Sequence, residues 1–249
     1  MSDAHDASTT LGTVRTAAAL LIGNEILSGK IQEGNLQGLA QELRGLGISL
    51  RRVVVIGDDI DEIAAEVTAL RTTHDVVFTS GGVGPTHDDL TLAGIARSFG
   101  VGLARHPEME QLLRDFYASR CTEAHLRMAD LPEGTRLVRS AEIAWPTIVR
   151  DNVWIFPGVP QIFRLKLPSI RTLRGGPPIH SRAIFTKLEE PEIADALDAV
   201  ARDFPHVAIG SYPQWTDPAY RVKLTFDGTD EQELDRAISA FQRGQERRS

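Results

Sequence analysis

The residues best suited to chemistry lie in the run Ser80-Gly81-Gly82-Val83-Gly84-Pro85-Thr86-His87-Asp88-Asp89. Glycines let a backbone approach a ligand closely and turn its N–H groups toward an anion. A helix around Leu92–Phe99 follows, and its positive N-terminal end adds to that attraction. Two carboxylates at the same place would repel a bare phosphate. A divalent cation bridging Asp88 and Asp89 to phosphate oxygens resolves the conflict. The structural account is a tight turn in which Asp88 or Asp89 caps the helix. A glycine loop alone is a weak signal, but Gly-Gly-x-Gly-Pro-Thr-x-Asp-Asp-x-Thr is specific and favours function. Ser80, Gly81, Gly82, Gly84 and Thr86 are its candidate substrate contacts.

Two further acidic positions end strand-like runs. Gly23-Asn24-Glu25 follows the first, making Gly23 and Asn24 candidate substrate contacts and Glu25 a candidate metal ligand; its structural alternative is a turn residue that accepts backbone N–H groups. Gly57-Asp58-Asp59 follows the second. Asp59 reads as an N-cap for the next helix, which leaves Asp58 as the site candidate. Pro157-Gly158-Val159-Pro160 either offers N–H groups to a second phosphate or is only a rigid helix start. His87 either ligates metal or, the favoured reading, is a solvated loop histidine; Cys121 reads as non-catalytic, and Trp145, Trp154 and Trp215 as packing residues. Arg164 and Lys166 read as a solvated face.

These positions share an edge only if the elements between them alternate. Ala17–Ile22, Val53–Ile56 and Asp75–Thr79 read as buried strands. Leu36, Leu39, Leu43 and Leu46, then Ile60, Ile63, Val67 and Leu70, recur at helical spacing between them. Such alternation implies βαβ crossovers and a mostly parallel sheet with helices on both faces. Ligands then bind outside the carboxyl ends of the strands, where Glu25, Asp58, Asp88 and Asp89 are expected to converge in one cleft. Residues 106–120 read as helical. Asp151-Asn152 turns a hairpin between Thr147–Arg150 and Val153–Phe156, and a helix follows through about Leu173. Gly175-Gly176-Pro177-Pro178 reads as a linker. Residues 181–246 then follow a β-α-β-β-α order, a small α+β domain beside the α/β domain of residues 14–174.

Composition narrows the partners. The chain has 249 residues, 42% hydrophobic, and a net charge of −7, which disfavours nucleic acid. One cysteine forbids an internal disulfide and agrees with a cytoplasmic setting. The first apolar run, Ala17–Ile22, is too short for a signal core or a membrane span. Residues 1–13 are small and polar and are expected to be a disordered tail.

The motifs Gly23-Asn24-Glu25-Ile26-Leu27-x-Gly29, Gly57-Asp58, the glycine loop through Thr91, and Pro157-Gly158-Val159-Pro160 resemble the N-terminal domain of competence/damage-inducible protein A. That domain is a branch of the molybdopterin-binding (MoCF-like) superfamily, and the resemblance covers roughly residues 14–174. The stretch from Arg127 to Phe163, with Gly210-Ser211-Tyr212-Pro213 and Tyr220–Leu224, is similar to the molybdopterin-binding-like domain of FAD synthases. The resemblance implies a three-layer α/β/α fold and a nucleotide pyrophosphatase cleaving ADP-ribose or FAD with a divalent metal (Mg, Mn or Co) and potassium. It implies a homo-oligomer and a small nucleotide or pterin ligand. Glu25, Asp58, Asp88 and Asp89 would hold the metal, with Asp58 and Asp89 catalytic. Asp88 stands where molybdenum-cofactor relatives carry a basic residue, which favours a metal-rich hydrolytic site. Ile162 stands where the competence-protein pattern has Glu. The alternatives are a molybdopterin-binding or adenylyltransferase protein and a non-catalytic nucleotide-binding protein.

Overall fold

The computed structural model describes residues 12–141, 144–216 and 218–246. The expectation of a disordered tail falls, up to residue 11, outside the described residues. The chain divides into two compact units between Gly176 and Pro177.

The first unit runs β1 (Thr16–Ile22), α1 (Asn24–Leu27), α2 (Leu36–Gly45), β2 (Ser49–Ile56), α3 (Ile60–Thr73), β3 (Val76–Ser80) and α4 (Thr91–Ser98). It continues through β4 (Leu103–Arg105), α5 (Pro107–Tyr117), α6 (Glu123–Leu126), β5 (Asp130–Pro132), β6 (Arg136–Val138), β7 (Thr147–Arg150), β8 (Val153–Phe156) and α7 (Pro160–Lys166). Six strands form one sheet in the order β2-β1-β3-β8-β7-β6. The first four are parallel, and β7 is antiparallel to both its neighbours. β4 and β5 pair separately.

Side chains alternate across a strand, so the central strands feed two cores at once. Ala18, Leu20 and Ile22 of β1, Val77 of β3 and Ile155 of β8 pack with Ile63 and Val67 of α3 and Ile95 of α4. Ala17, Ala19, Val76, Phe78, Trp154 and Phe156 pack on the other face with Leu39 and Leu43 of α2 and Phe163 of α7. Helices on both faces of a mostly parallel sheet are the expected α/β/α architecture.

Three local expectations need correction. β2 is an edge strand, not a buried one: Val53 and Val55 are each 39% exposed. Only Val54 and Ile56 of that run join the core, and β2 is the outermost strand of the sheet among the described residues. Trp215 is 81% exposed, so it does not pack. Lys166 does not sit on a solvated face. Its Nζ lies in a largely buried setting and donates to the carbonyls of Trp145 and Pro146.

Burial removes water from that ammonium and pushes its pKa down to about 8 from the usual 10.5. The unfolded chain therefore binds more protons between pH 8 and 10.5, and this residue makes stability rise with pH in that window. We expect Lys166→Met to flatten the rise, a difference on the order of 3 kcal/mol in denaturation midpoints converted to free energy. Parallel pH profiles for the two proteins would refute it.

Close packing of α3 on α4 depends on Gly94. A Cβ there would lie 2.4 Å from Ile63 Cγ2 and 2.6 Å from Ile63 Cβ. Gly94→Ala gains about 1 kcal/mol in helix propensity but must push the helices apart. Urea unfolding should show a net loss of roughly 2 kcal/mol, and an unchanged or raised midpoint would contradict the packing argument.

The second unit is β9 (His180–Thr186), α8 (Glu190–Asp203), β10 (Ala208–Pro213), β11 (Val222–Gly228) and α9 (Glu231–Glu246). This is the expected β-α-β-β-α order. Its antiparallel sheet, ordered β10-β11-β9, closes over Ile193, Leu224, Phe226, Leu234 and Phe241.

Candidate functional site

The carboxyl ends of β1, β3 and β8 meet backbone to backbone. Gly81, after β3, has φ +111°, and a Cβ there would sit 2.0 Å from the carbonyl oxygen of Ile22. Its N–H donates to Phe156 O at 3.2 Å. A Cβ on Gly158, in the loop after β8, would lie 3.3 Å from Gly81 Cα. Glycine is needed at Gly81 for both conformation and space. Thr91, at the start of α4, holds the turn by donating its hydroxyl to Gly81 O at 2.8 Å and its N–H to Gly82 O at 3.0 Å.

Asp89 closes the rest of the loop. It accepts Gly84 N–H at 2.6 Å on one carboxylate oxygen and Thr86 N–H at 2.8 Å on the other. The Thr86 hydroxyl lies 2.5 Å from Asp89 Oδ2 and 2.6 Å from Asp88 Oδ1, so its single proton serves two carboxylates. That hydroxyl holds the exposed Asp88 carboxyl below the usual carboxylate range. Asp89 is thus not a helix cap: Leu90 holds the cap position without a side-chain bond. Donors expected to face a phosphate, Gly84 and Thr86, are met by the loop's own carboxylate. His87 is 98% exposed in its side chain and makes only a long approach to Asp88, as a solvated residue would.

Asp58 reaches back to the end of β1, where its Oδ2 accepts Asn24 N–H at 2.9 Å. Asp59 caps α3 by accepting from Asp61 and Glu62, as its position before the helix implied. The Glu25 carboxylate turns over Gly23, within 2.5 Å of where a Cβ would stand.

Of the four acidic residues, Asp88 and Asp89 share the Thr86 hydroxyl, whereas Glu25 and Asp89 line different hollows. Glu25 lines a cavity of about 240 Å³ with Ile22, Glu33, Asn35, Ser80 and Gly158. Asp89 lines a separate hollow of about 170 Å³ with Gly84, Thr86, Leu103, Arg127 and Asp130. Among the described residues no three or more His, Cys, Asp or Glu side chains group to hold a metal. The physical reason is local: Asp89 is spent on its own loop, and Asp58 on Asn24. Pro157-Gly158-Val159-Pro160 starts α7 at Pro160 and also supplies the backbone wall against Gly81. Ile162 is 39% exposed and belongs to neither hollow.

Sequence reading missed Asn35. It is 4% exposed, and its Nδ2 donates to Ser80 Oγ at 2.9 Å and to Gly158 O at 2.8 Å, tying the end of β3 to the loop after β8. Asn before a helical leucine stripe signals an N-cap, yet this side chain caps nothing. Glu33 takes over by accepting the N–H groups of Asn35 and Leu36.

Residues 18–170 match the family described as "Probable molybdopterin binding domain". The chain belongs to this family. Residues 178–247 match a second description, the middle domain of FAD synthase. The molybdopterin-binding-domain chain is 34% identical over 221 residues to a protein of Archaeoglobus fulgidus, covering 89% of this chain and 94% of that one. It is 30% identical to a Caenorhabditis elegans protein named "Probable FAD synthase", covering 91% of this chain but only 49% of the relative. It spans about half the length of that FAD synthase. A CinA-like protein of Desulfosudis oleivorans is 36% identical over 172 residues, 64% of this chain and 42% of that protein. Among solved structures, the CinA protein of Thermoplasma acidophilum, titled as of unknown function, superposes with TM-score 0.58 at 30% identity. That match covers 65% of this chain and 98% of the other. No helix among the described residues is long and apolar enough to cross a membrane.

Proposed function

We propose that this family member binds a nucleotide through its diphosphate and hydrolyses that linkage, with ADP-ribose- or FAD-like compounds as substrates. The observation that carries the reading is the Gly81–Gly158 contact. Two loops at the ends of adjacent strands close to backbone distance, the setting in which main-chain groups cradle phosphate oxygens. The likeness to a relative named as an FAD synthase supports the substrate class, since FAD contains a diphosphate.

The donor sets fit a metal in a particular way. Paired carboxylates do not make an all-protein cage, but magnesium is commonly held by one or two carboxylates together with substrate phosphates and water. Glu25, Asp58, Asp88 and Asp89 are the carboxylates that would hold such an ion. When bound, a divalent ion supplies charge neutralisation and acidifies a water, and potassium is proposed as a co-requirement. The chain's own residues do the remaining work. Gly82, Ser80, Gly23 and Asn24 would border the diphosphate, while Gly84 and Thr86, whose donors Asp89 already holds, would shape the loop around it. Asp58, fixed by Asn24 N–H through one oxygen, presents the other to accept a proton from the attacking water. Pro157 and Gly158 close the opposite wall.

The test is a screen of dinucleotides with Mg, Mn, Co and Ni, each with and without potassium. Divalent-dependent release of a mononucleotide, lost on chelation and restored by metal, is expected. Turnover in no arm would end the hydrolase reading. A second reading, pterin binding without hydrolysis, is favoured by the description of the matched family; pterin affinity in the absence of turnover would support it. Self-association belongs to the proposal as well, and light scattering that finds only monomer at high concentration would remove it.

A further inference from the structure

We infer that the outer face of the β10-β11-β9 sheet is an interface with a second copy of this chain, the two sheets packed face to face about a two-fold axis that runs across the strands. This gives the self-association proposed above a surface, and it does not depend on the hydrolase reading.

The strands separate the two faces of the sheet. Ile184, Ile209, Val222, Leu224 and Phe226 turn inward to pack with α8 and α9. Alternation puts their neighbours on the opposite face, where the register arranges them in three rows. Ala208, Asp227 and Ser181 form one end row. Gly210, Thr225 and Ala183 form the middle row, and Tyr212, Lys223 and Phe185 the other end. A solvated sheet face is normally polar, and edge strands are normally guarded by charge. On this face both edge strands, β9 and β10, carry only uncharged residues, and two of these are exposed aromatics, Phe185 at 58% and Tyr212 at 55%.

The inequality of the rows selects the partner. An axis along the middle row lays each end row on the opposite end row of the second copy. Lys223 then meets Asp227 of the second copy, and the symmetry makes that contact twice. Phe185 meets Ser181, and Tyr212 meets Ala208. A Cβ on Gly210 would lie 2.8 Å from Tyr212 Oη, so the ring leans back over Gly210 toward the axis and keeps the face low. Each bulky side chain faces a small one, and each charge faces its opposite. An axis along the strands would instead set Lys223 on Lys223 and Asp227 on Asp227. A single-stranded nucleic acid could stack on such aromatics but needs a basic groove, and the one lysine here is balanced by one aspartate. Seven residues by three strands give a face of about 300 Å² per copy. That is small for a permanent interface, so the dimer is a weak one that dissociates on dilution.

The test is sedimentation of the full chain from micromolar to near-millimolar concentration. Wild type should pass from monomer to dimer. Lys223→Asp and Asp227→Lys each set like charges against each other and should weaken the dimer by about 10-fold or more. An equimolar mixture of these two variants should dimerise again, because both contacts are then complementary. Ala183→Arg places two cations at the axis and should also abolish the dimer; it keeps the test decisive if a charge variant fails to fold, which circular dichroism reports. A wild type that stays monomeric would overturn the inference together with the proposed self-association. An oligomer unmoved by all three variants would overturn the inference alone. Folded single variants that do not pair when mixed would overturn the register. A monomer that binds a single-stranded oligonucleotide, and loses it in Lys223→Asp, would assign the face to nucleic acid instead. None of these outcomes bears on the hydrolase reading, which the metal screen decides.

Discussion

Asp89→Asn is expected to lower kcat by on the order of 10²-fold or more on a substrate found by the metal screen. The carboxylate has two duties, and the substitution touches both. It loses the negative charge proposed to face the metal-bound diphosphate. It also disturbs the loop, because Asp89 accepts Gly84 N–H on one oxygen and Thr86 N–H on the other, and Asn offers only one oxygen. The amide would aim a donor at a donor. A melting-temperature drop of a few degrees should accompany the kinetic loss, from about 1 kcal/mol of lost hydrogen bonding. Thr86→Ala separates the two duties, since it removes a hydroxyl bond to the clasp and leaves the charge. If charge dominates, Thr86→Ala should lose far less activity than Asp89→Asn. His87→Ala, at a fully solvated side chain, should change little. Equal losses in Asp89→Asn and Thr86→Ala would reduce Asp89 to a loop clasp, and wild-type activity in Asp89→Asn would end the mechanism.

Gly81→Ala should cost the fold about 3–5 kcal/mol. The methyl would meet the Ile22 carbonyl at 2.0 Å, a backbone atom of a central strand that cannot swing aside, and the residue would be held at φ +111°. Gly100→Ala is the matched control. That glycine also has positive φ, +65°, but nothing lies within 4 Å of the added carbon. It should cost only about 1 kcal/mol of backbone strain. Guanidinium unfolding of both variants would show whether contact between strand ends, rather than handedness of the turn, is what the site demands. Similar costs for the two would contradict that conclusion.

Much of this was legible from residue order. The runs Ala17–Ile22 and Val153–Phe156 became strands buried on both faces, since apolar residues at consecutive positions can only be satisfied by cover on two sides. The Asp59 cap was legible because its partners are two and three residues away. Where partners are distant, the sequence was mute. Asn35 bonds residues 45 and 123 positions away, so nothing in Gly34-Asn35-Leu36 distinguishes it from an ordinary cap. The separation of Glu25 from Asp89 was hidden for another reason. A pattern of charges at strand ends says that they face one edge, but not that Asp89 would be consumed by its own loop. Val53–Ile56 misled because an edge strand and an inner strand can carry the same valines; strand order, set by crossovers, decides between them.

That outermost strand carries a consequence for the chain during folding. An unpaired strand flank is a template for addition of a second polypeptide, and exposed Val53 and Val55 make it adhesive. Pairing with the neighbouring strand slips between Ala17 and Ala18, which face Leu50 and Arg52, so Arg51 is left without a counterpart in the ladder. The irregularity, with two exposed arginines beside the valines, spoils the flat register that intermolecular strand addition requires. The recovery of dilute and concentrated chains from denaturant should accordingly depend on Arg51 and Arg52, residues that line neither hollow.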